Sequence, residues 1–167
     1  MDKKIFLYMF GFAEKHEGFK KLLPAASKAL TLIIMALYYG AILYLAISLN
    51  KKIFPFMLLP YAVLFSVRAW RNKLNRPRPF DELPITPLAA HKSGRSFPSC
   101  HSSSAMAIAM AFLYLYTPLG VLTLVLAFLV CLTRVFMGMH YPKDVTVGAG
   151  IGIVAGWLFY FVFLKVI

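Results

Sequence analysis

The chain has 167 residues, 60% of them hydrophobic, and carries 18 lysines and arginines against 6 aspartates and glutamates. A mean hydropathy of +0.73 is far above that of an ordinary soluble domain, and the long uncharged runs leave little soluble surface, which argues against a nucleic-acid partner. A membrane protein that contacts an anionic lipid surface or an anionic lipid substrate suits both halves of the composition. The two cysteines, Cys100 and Cys131, lie in or beside apolar runs and indicate no disulfide framework.

The first 28 residues differ from the rest of the chain. They mix phenylalanines with six lysines, a pattern typical of an amphipathic helix that lies in the membrane interface. We therefore predict that residues 1–28 form an interfacial N-terminal helix.

Apolar segments dominate residues 29–167. A bilayer requires about 20 apolar residues per helix, and shorter helices are tolerated among neighbours. Because the backbone must bond within itself in hydrocarbon, each segment is predicted to be helical. The predicted fold class is all-α: a polytopic transmembrane helical bundle of about five spans plus the N-terminal helix. Residues 29–167 are one transmembrane domain, with spans at 29–49, 53–67, 102–116, 120–136 and 145–164.

Three glycines recur at every fourth position of the last span, Gly148, Gly152 and Gly156. They lie on one helix face and allow another helix to approach closely. We expect them to serve packing within the bundle, and a homodimer is the alternative use of the same face.

Two polar loops, 70–101 and 134–144, are predicted to meet at one end of the bundle. Seven of the 18 basic residues fall between Arg68 and Arg95. The chain leaves the first loop through the third span and returns through the fourth. Since the two helices are similar in length, Thr133–Asp144 must reach the same membrane face as Arg71–His101.

The residue types in these loops suit phosphoryl transfer. Arginines hold phosphate bidentately, and the start of a helix at Ser99 offers backbone N–H groups to an anion. A histidine can attack phosphorus while a carboxylate orients its other nitrogen, and a second histidine can protonate the leaving oxygen. No acidic or Cys/His spacing suggests a metal site. The candidates for catalysis are His101, His140 and Asp144.

The three polar stretches resemble the tripartite signature of the type 2 phosphatidic acid phosphatase superfamily: Lys-x6-Arg-Pro, Pro-Ser-Gly-His and Ser-Arg-x5-His-x3-Asp. The corresponding segments here are Arg71–Pro79, Pro98–His101 and Thr133–Asp144. Arginine replaces the signature lysine, with Lys73 as the alternative for that position, cysteine replaces the glycine and threonine replaces the serine.

The resemblance implies a role for each matching residue. His140 would be the nucleophile, Asp144 would orient it, and His101 would be the general acid. The phosphate would be held by the side chains of the matching arginines and serine and by the backbone at the cysteine position: Arg71, Arg78, Ser99, Cys100 and Arg134. No metal and no cofactor is implied.

The implied protein is an integral-membrane lipid phosphatase that works through a phosphohistidine. Its expected partners are membrane lipids and a lipid phosphate substrate: undecaprenyl diphosphate, phosphatidylglycerophosphate or phosphatidic acid. A non-catalytic protein that binds anionic lipids is the alternative function. A channel or transporter is disfavoured because the spans are nearly uncharged, and the haloperoxidases that share the signature are soluble.

Two indications disagree about which membrane face carries the site. With five spans, the N-terminus and the site share a face, and six N-terminal lysines favour the cytoplasm by the positive-inside rule. The resemblance implies a multi-pass protein of the cell membrane with an extracytoplasmic site, and we follow the resemblance.

Four further residues near the signature have either an ordinary structural role or two alternative roles. Arg68 is expected to be a membrane anchor that reaches the headgroups. Arg76 is expected to bind phosphate or to pair with an acidic residue at 81 or 82. His91 and Lys92 are either loop residues or contacts to the lipid headgroup.

Overall fold

The computed structural model describes residues 2–90 and 92–166, which include no β-strand. The all-α class is therefore confirmed. The described helices are α1 (Asp2–Lys15), α2 (Glu17–Ile47), α3 (Ile53–Leu74), α4 (Pro79–Glu82), α5 (Cys100–Leu115), α6 (Thr117–Phe136) and α7 (Pro142–Val166).

Three segments of the described chain are long and apolar enough to cross a membrane: Glu17–Ile47, Ile53–Glu82 and Thr117–Phe136. Helix α5 is apolar but shorter. Large apolar side chains such as Phe54, Phe128 and Trp157 are more than half exposed on the outside of the bundle, as lipid-facing residues are. These findings indicate a multi-pass membrane protein, and the count of five spans stays a prediction.

The N-terminal region is built differently from the single helix predicted for residues 1–28. Helix α1 ends at Lys15, His16 has extended backbone angles, and α2 begins at Glu17 and continues through the first predicted span. The early part of α2 packs on the bundle, since the hydroxyls of Ser27 and Thr133 lie 2.9 Å apart and Ser27 is buried. Residue 28 marks a change of composition only. Because the early part of α2 already packs on the bundle, the helix continues past this residue.

Helix α5 lies at the centre of the bundle, against α3, α6 and α7. Its approach to α7 depends on the three glycines. A Cβ at Gly148 would lie 2.6 Å from the backbone oxygen of Ser99, and one at Gly152 would lie 2.5 Å from that of Ser103. Gly156 likewise faces Met110. The prediction of close packing within the bundle is confirmed, and because α5 occupies this face, a homodimer would need another one.

The segment between α3 and α5 folds back over the ends of the helices. The Asp81 carboxylate accepts hydrogen bonds from the backbone N–H groups of Arg78 and Gly94, each at 2.8 Å. The N–H of Ser99, at the start of α5, donates to the backbone oxygen of Asp144 at the start of α7 (3.0 Å). These bonds bring the three signature segments to one end of the molecule.

Candidate active site

His140 is at the centre of the site. It lies in the short loop between α6 and α7, and only 2% of its surface is exposed. Its Nε2 atom is 3.4 Å from Nη1 of Arg78, and its Nδ1 atom is 3.3 Å from the hydroxyl oxygen of Ser96. Each ring nitrogen therefore has one polar neighbour.

Asp144 lies in the first turn of α7 and is fully buried. One carboxylate oxygen accepts from the Arg76 guanidinium at 2.8 Å. The other accepts from the Tyr141 N–H at 3.0 Å and from the Ser96 hydroxyl. This second oxygen is 3.7 Å from Nδ1 of His140, too far for a good hydrogen bond. The Ser96 hydroxyl thus bridges the histidine and the carboxylate.

The chemistry of these neighbours determines where His140 carries its proton. An ionised carboxylate only accepts, so the Ser96 hydroxyl donates to Asp144 and its oxygen is left to accept from Nδ1–H. A guanidinium only donates, so Nε2 at Arg78 is the unprotonated nitrogen. Both ends of the ring indicate the same tautomer, with a lone pair on Nε2.

His140 is also kept neutral. Its pKa is lowered to about 4, mainly because the ring is buried. The positive charge of Arg78 also lowers this pKa, whereas Asp144 raises it. At neutral pH the ring is therefore a neutral base with an unprotonated Nε2 that faces Arg78, and an unprotonated nitrogen is the form a nucleophile requires.

Arg78 is held rigidly beside this nitrogen. It is 1% exposed, its Nε donates to the Gly94 oxygen and its Nη1 to the Met139 oxygen, both at 2.9 Å. These bonds to backbone oxygens use neutral acceptors, so the positive charge of Arg78 remains available to an anion.

The partner expected for Arg76 was wrong. Its guanidinium pairs with Asp144, and with Asp2 of α1 at 3.8 Å, rather than with an acidic residue at 81 or 82. Asp81 is engaged by backbone N–H groups. Glu82 accepts from the Tyr141 hydroxyl at 2.8 Å and pairs with Lys3 at 3.0 Å. Sequence proximity suggested the wrong acids because the loop carries Arg76 across to α7.

Helix α5 begins with a serine N-cap. Ser99 is the N-cap, is fully buried and accepts from the Ser102 hydroxyl at 3.0 Å. The N–H groups that follow, at Cys100 and His101, belong to the first turn of the helix, where N–H groups point towards the N-terminal end of the helix. Cys100 and the half-buried His101 also line an apolar cavity of about 270 Å³ between α2, α3, α5 and α6.

Arg134 lies in the last turn of α6 and is 7% exposed. Its Nη2 donates to the Thr31 hydroxyl at 3.2 Å, and its Nη1 is 3.9 Å from the Met139 sulfur. Its buried Nε has no hydrogen-bond partner among the described residues. A buried donor without an acceptor is costly, and a bound anion would satisfy it.

A second cavity, of about 550 Å³, opens beside Arg78, and we call it the cationic cavity. Arg71 lines it, whereas the alternative Lys73 is exposed elsewhere. Arg68 lines both this cavity and the apolar one, so its interpretation as a simple membrane anchor was incomplete. His91 lies outside the described residues. The lining residues are Arg68, Arg71, Asn72, Arg78, Ala90, Lys92, Ser93, Gly94 and Arg95.

Ser96 and Arg76 are the site residues that sequence reasoning missed or misplaced. Ser96 lies two residues before the second signature segment, in a loop whose path no periodicity reveals. Within the described residues, no group of three or more His, Cys, Asp or Glu side chains is placed to hold a metal ion.

Comparison with known proteins places this geometry in context. The model of the PAP2 superfamily matches residues 62–167, which contain all the site residues described above except Thr31 and those of α1. Lipid A 4'-phosphatase of Bacteroides thetaiotaomicron is 37% identical over 100 residues, 55% of this chain and 44% of that protein. Undecaprenyl-diphosphatase BcrC of Bacillus subtilis is 34% identical over 84 residues, 50% of this chain and 44% of that protein.

The chain thus matches less than half the length of these two relatives. Among solved structures, Aquifex aeolicus LpxE superposes with a TM-score of 0.78 at 24% identity, covering 95% of this chain and 93% of that one. This likeness shows that the two chains share a fold.

Proposed function

The chain belongs to the PAP2 superfamily, and from that premise we propose that it is an integral-membrane phosphatase that removes phosphate from a lipid headgroup through a covalent phosphohistidine. One observation carries the proposal: a buried, neutral His140 presents the lone pair of Nε2 beside the fixed charge of Arg78. A protein that only bound anionic lipids would gain more from a charged histidine at this position.

The first step forms the phosphoenzyme. The Nε2 lone pair of His140 attacks phosphorus, the bond from phosphorus to the leaving oxygen breaks, and His101 gives that oxygen its proton. The charge that develops on the His140 ring is stabilised through Nδ1–H by Ser96 and Asp144.

The second step restores the enzyme. Water attacks phosphorus, His101 takes the proton of the water, and the N–P bond breaks with its electron pair returning to His140. Negative charge on the transferring group is stabilised by the guanidinium of Arg78, the unpartnered Nε of Arg134 and the N–H groups at the start of α5. Arginines at these positions supply the charge without a metal ion.

We place the proposed substrate across the two cavities, because Arg68 lines both of them. The apolar cavity, which reaches His101, suits a hydrocarbon tail, and the cationic cavity suits an anionic headgroup. Two relatives are named for lipid A and undecaprenyl diphosphate. For this chain we keep undecaprenyl diphosphate, phosphatidylglycerophosphate and phosphatidic acid as candidate classes, to which the first relative adds a phosphorylated glycolipid.

The test of this function is phosphate release by the purified protein in detergent with EDTA present. We expect release from at least one of these lipids, loss of release in His140→Ala, and full activity in the matched control His16→Ala. The His16 side chain is exposed, and its Nδ1 atom lies 2.8 Å from the Phe12 backbone oxygen. Lipid binding without release from any of them, or equal release from His140→Ala, would favour the lipid-binding alternative.

We further propose that the site faces the extracytoplasmic side. Helix α1 contacts the site. The ring centroids of Phe6 and Tyr141 are 5.3 Å apart, and the Asp2 carboxylate accepts a hydrogen bond from the Lys143 N–H at 3.0 Å. The N-terminus therefore reports the side of the site. Labelling of a Lys3→Cys variant by a membrane-impermeant thiol reagent in intact cells is the test, because both native cysteines are buried; protection of the new thiol until lysis would contradict the proposal.

A further inference from the structure

We propose that Asp2 is a positioning residue for the phosphatase reaction: from helix α1 it holds the start of α7 and the Arg76 guanidinium, and thereby the carboxylate of Asp144. The inference deepens the proposed function and rests on it, because it concerns how the same site is kept in its active geometry. Asp2 lies outside the signature segments and outside residues 62–167, which match the superfamily model.

One face of α1 follows the loop that carries His140. Asp2, Phe6 and Phe10 are spaced four residues apart, so their side chains lie along the same side of the helix. Both phenylalanines are buried. They dock α1 on the bundle, and Asp2, one turn before Phe6, is thereby placed beside the site.

Each of the two aromatic rings contacts the loop. The ring centroids of Phe6 and Tyr141 are 5.3 Å apart, with an edge-to-face arrangement. A Cβ at Gly138, whose φ is +76°, would lie 2.9 Å from a carbon of the Phe10 ring. Because Gly138 and Tyr141 lie on either side of His140 in the chain, α1 packs against the loop both before and after the proposed nucleophile.

The Asp2 carboxylate binds the end of the same loop. Its Oδ1 atom accepts a hydrogen bond from the backbone N–H of Lys143 at 3.0 Å. Lys143 is the second residue of α7, and the first N–H groups of a helix have no acceptor within that helix. A carboxylate at this position also interacts favourably with the helix dipole. Asp2 therefore caps α7 from another helix, and α7 carries Asp144 in its first turn.

The second oxygen of Asp2 faces Arg76. This Oδ2 atom is 3.8 Å from Nη2 of Arg76, whose Nη1 donates to Asp144 at 2.8 Å. The guanidinium carbon of Arg76 also lies over the Tyr141 ring, 5.3 Å from its centroid. Two carboxylates from different helices thus share one guanidinium, and the position of that guanidinium depends on both.

These contacts connect Asp2 to the nucleophile although Asp2 touches no reacting atom. Asp144 accepts from the Ser96 hydroxyl, whose oxygen is the neighbour of Nδ1 of His140. Without Asp2, the start of α7 and one side of Arg76 lose a partner, so the Asp144 carboxylate is held less firmly. The chemical step should then slow, because a misplaced orienting group loses transition-state stabilisation. Substrate binding should not change, since Asp2 lines neither the cationic nor the apolar cavity.

The experiment measures kcat and KM for phosphate release, in detergent with EDTA, by the wild type and three variants of Asp2. The substrate is whichever of the candidate lipids the wild type hydrolyses fastest. Asp2→Ala removes both interactions, Asp2→Asn keeps an acceptor for the Lys143 N–H without the charge that faces Arg76, and Asp2→Glu keeps the charge. Glu14→Ala is the matched control, because Glu14 is an exposed carboxylate of the same helix.

We expect kcat of Asp2→Ala to fall by about 5- to 10-fold, the size of one lost helix cap, with KM within twofold of wild type. Asp2→Asn should lose about threefold, because a partly exposed ion pair contributes less than the cap. Asp2→Glu should recover most of the loss, and Glu14→Ala should match wild type. A kcat of Asp2→Ala within twofold of wild type, a rise in KM alone, or an equal loss in Glu14→Ala overturns the inference.

Hydrogen exchange separates this inference from the proposed function. Backbone exchange is measured by mass spectrometry on the lipid-free protein, in peptides that cover 137–145 and, for comparison, 100–115. If the wild type releases no phosphate but Asp2→Ala, unlike Glu14→Ala, speeds exchange at least fivefold in 137–145 alone, the proposed function fails and the positioning of the loop by Asp2 stands. If the wild type releases phosphate while Asp2→Ala changes neither exchange nor kcat by more than twofold, the inference fails and the function stands.

Discussion

Arg76 and Arg78 are two residues apart, yet their guanidinium groups serve regions of opposite charge balance. Arg76 belongs to what we call the paired network, Arg76, Asp144, Ser96 and His140, in which each polar group meets a complementary one at close range. Arg78 lies beside His140 and lines the cationic cavity, where further cations gather and the described lining contains no carboxylate.

This contrast separates two uses of charge. In the paired network the opposite charges are already matched, so they hold a geometry, and in particular the tautomer of His140. The cationic cavity is lined by five basic side chains, and its described lining contains no carboxylate, so its positive potential attracts an anion. The paired network should therefore control kcat, and the cavity should contribute to binding an anionic headgroup.

The largest expected effect comes from breaking the paired network at its centre. Asp144→Asn replaces an acceptor for three donors with an amide that also donates, so the orientation of Ser96 and the tautomer of His140 are no longer imposed. We expect kcat to fall by about 1,000- to 10,000-fold, as when a triad carboxylate becomes an amide. The control is Glu17→Gln, an exposed carboxylate-to-amide change. Activity of Asp144→Asn within tenfold of wild type would show that the network does not position the nucleophile.

A smaller effect is expected at the bridge of the network. Ser96→Ala removes the acceptor of Nδ1–H and leaves Asp144 and His140 3.7 Å apart. We expect kcat to fall by about 10- to 100-fold with little change in KM, because a misoriented general base or nucleophile loses transition-state stabilisation. Ser96→Thr, which keeps the hydroxyl, should recover part of the loss.

The matched control for the bridge is Ser66→Ala, since Ser66 is an exposed serine of α3 away from the site. An equal loss in Ser66→Ala, or a rise in KM without loss of kcat in Ser96→Ala, would remove the positioning role.

The pH dependence tests how burial and pairing combine. Because the pKa of His140 is lowered to about 4, its neutral, nucleophilic form persists as pH falls through 6.5, and protonation of this group reduces kcat/KM only near and below pH 4. There we expect about a tenfold loss for each further pH unit. The measurement is kcat/KM from pH 3.5 to 8, with circular dichroism in the same buffers to verify the fold. An acid limb near pH 6.5 would mean that His140 has an ordinary pKa.

The smallest effect is expected at the ion pair between Lys3 and Glu82, which lies outside the paired network. Lys3 pairs with Glu82 at 3.0 Å, but its side chain is 60% exposed. Exposed ion pairs contribute little, so Lys3→Gln should change kcat and KM by less than about twofold. Measuring the two constants in parallel with wild type is sufficient. A larger loss would indicate that α1 controls the site through this contact.

The sequence by itself determined those structural features that depend on local residue patterns. Uncharged apolar runs specify helices in a membrane because the backbone has no other partner there. The spacing of Gly148, Gly152 and Gly156 specified a face for close approach, which α5 occupies. The order of the polar stretches between spans predicted which segments meet at one end of the bundle, and the roles of the signature histidines and arginines stay predictions.

Only the tertiary structure decided the partners within the site. Ser96, and not direct contact, links His140 to Asp144, and Arg76 crosses to α7 rather than binding an acid beside it in sequence. Arg68 lines two cavities instead of only anchoring the bundle. These contacts depend on the path of an irregular loop and on helices distant in sequence, and hydrogen-bond partners are selected by distances of a few tenths of an ångström that no residue spacing encodes.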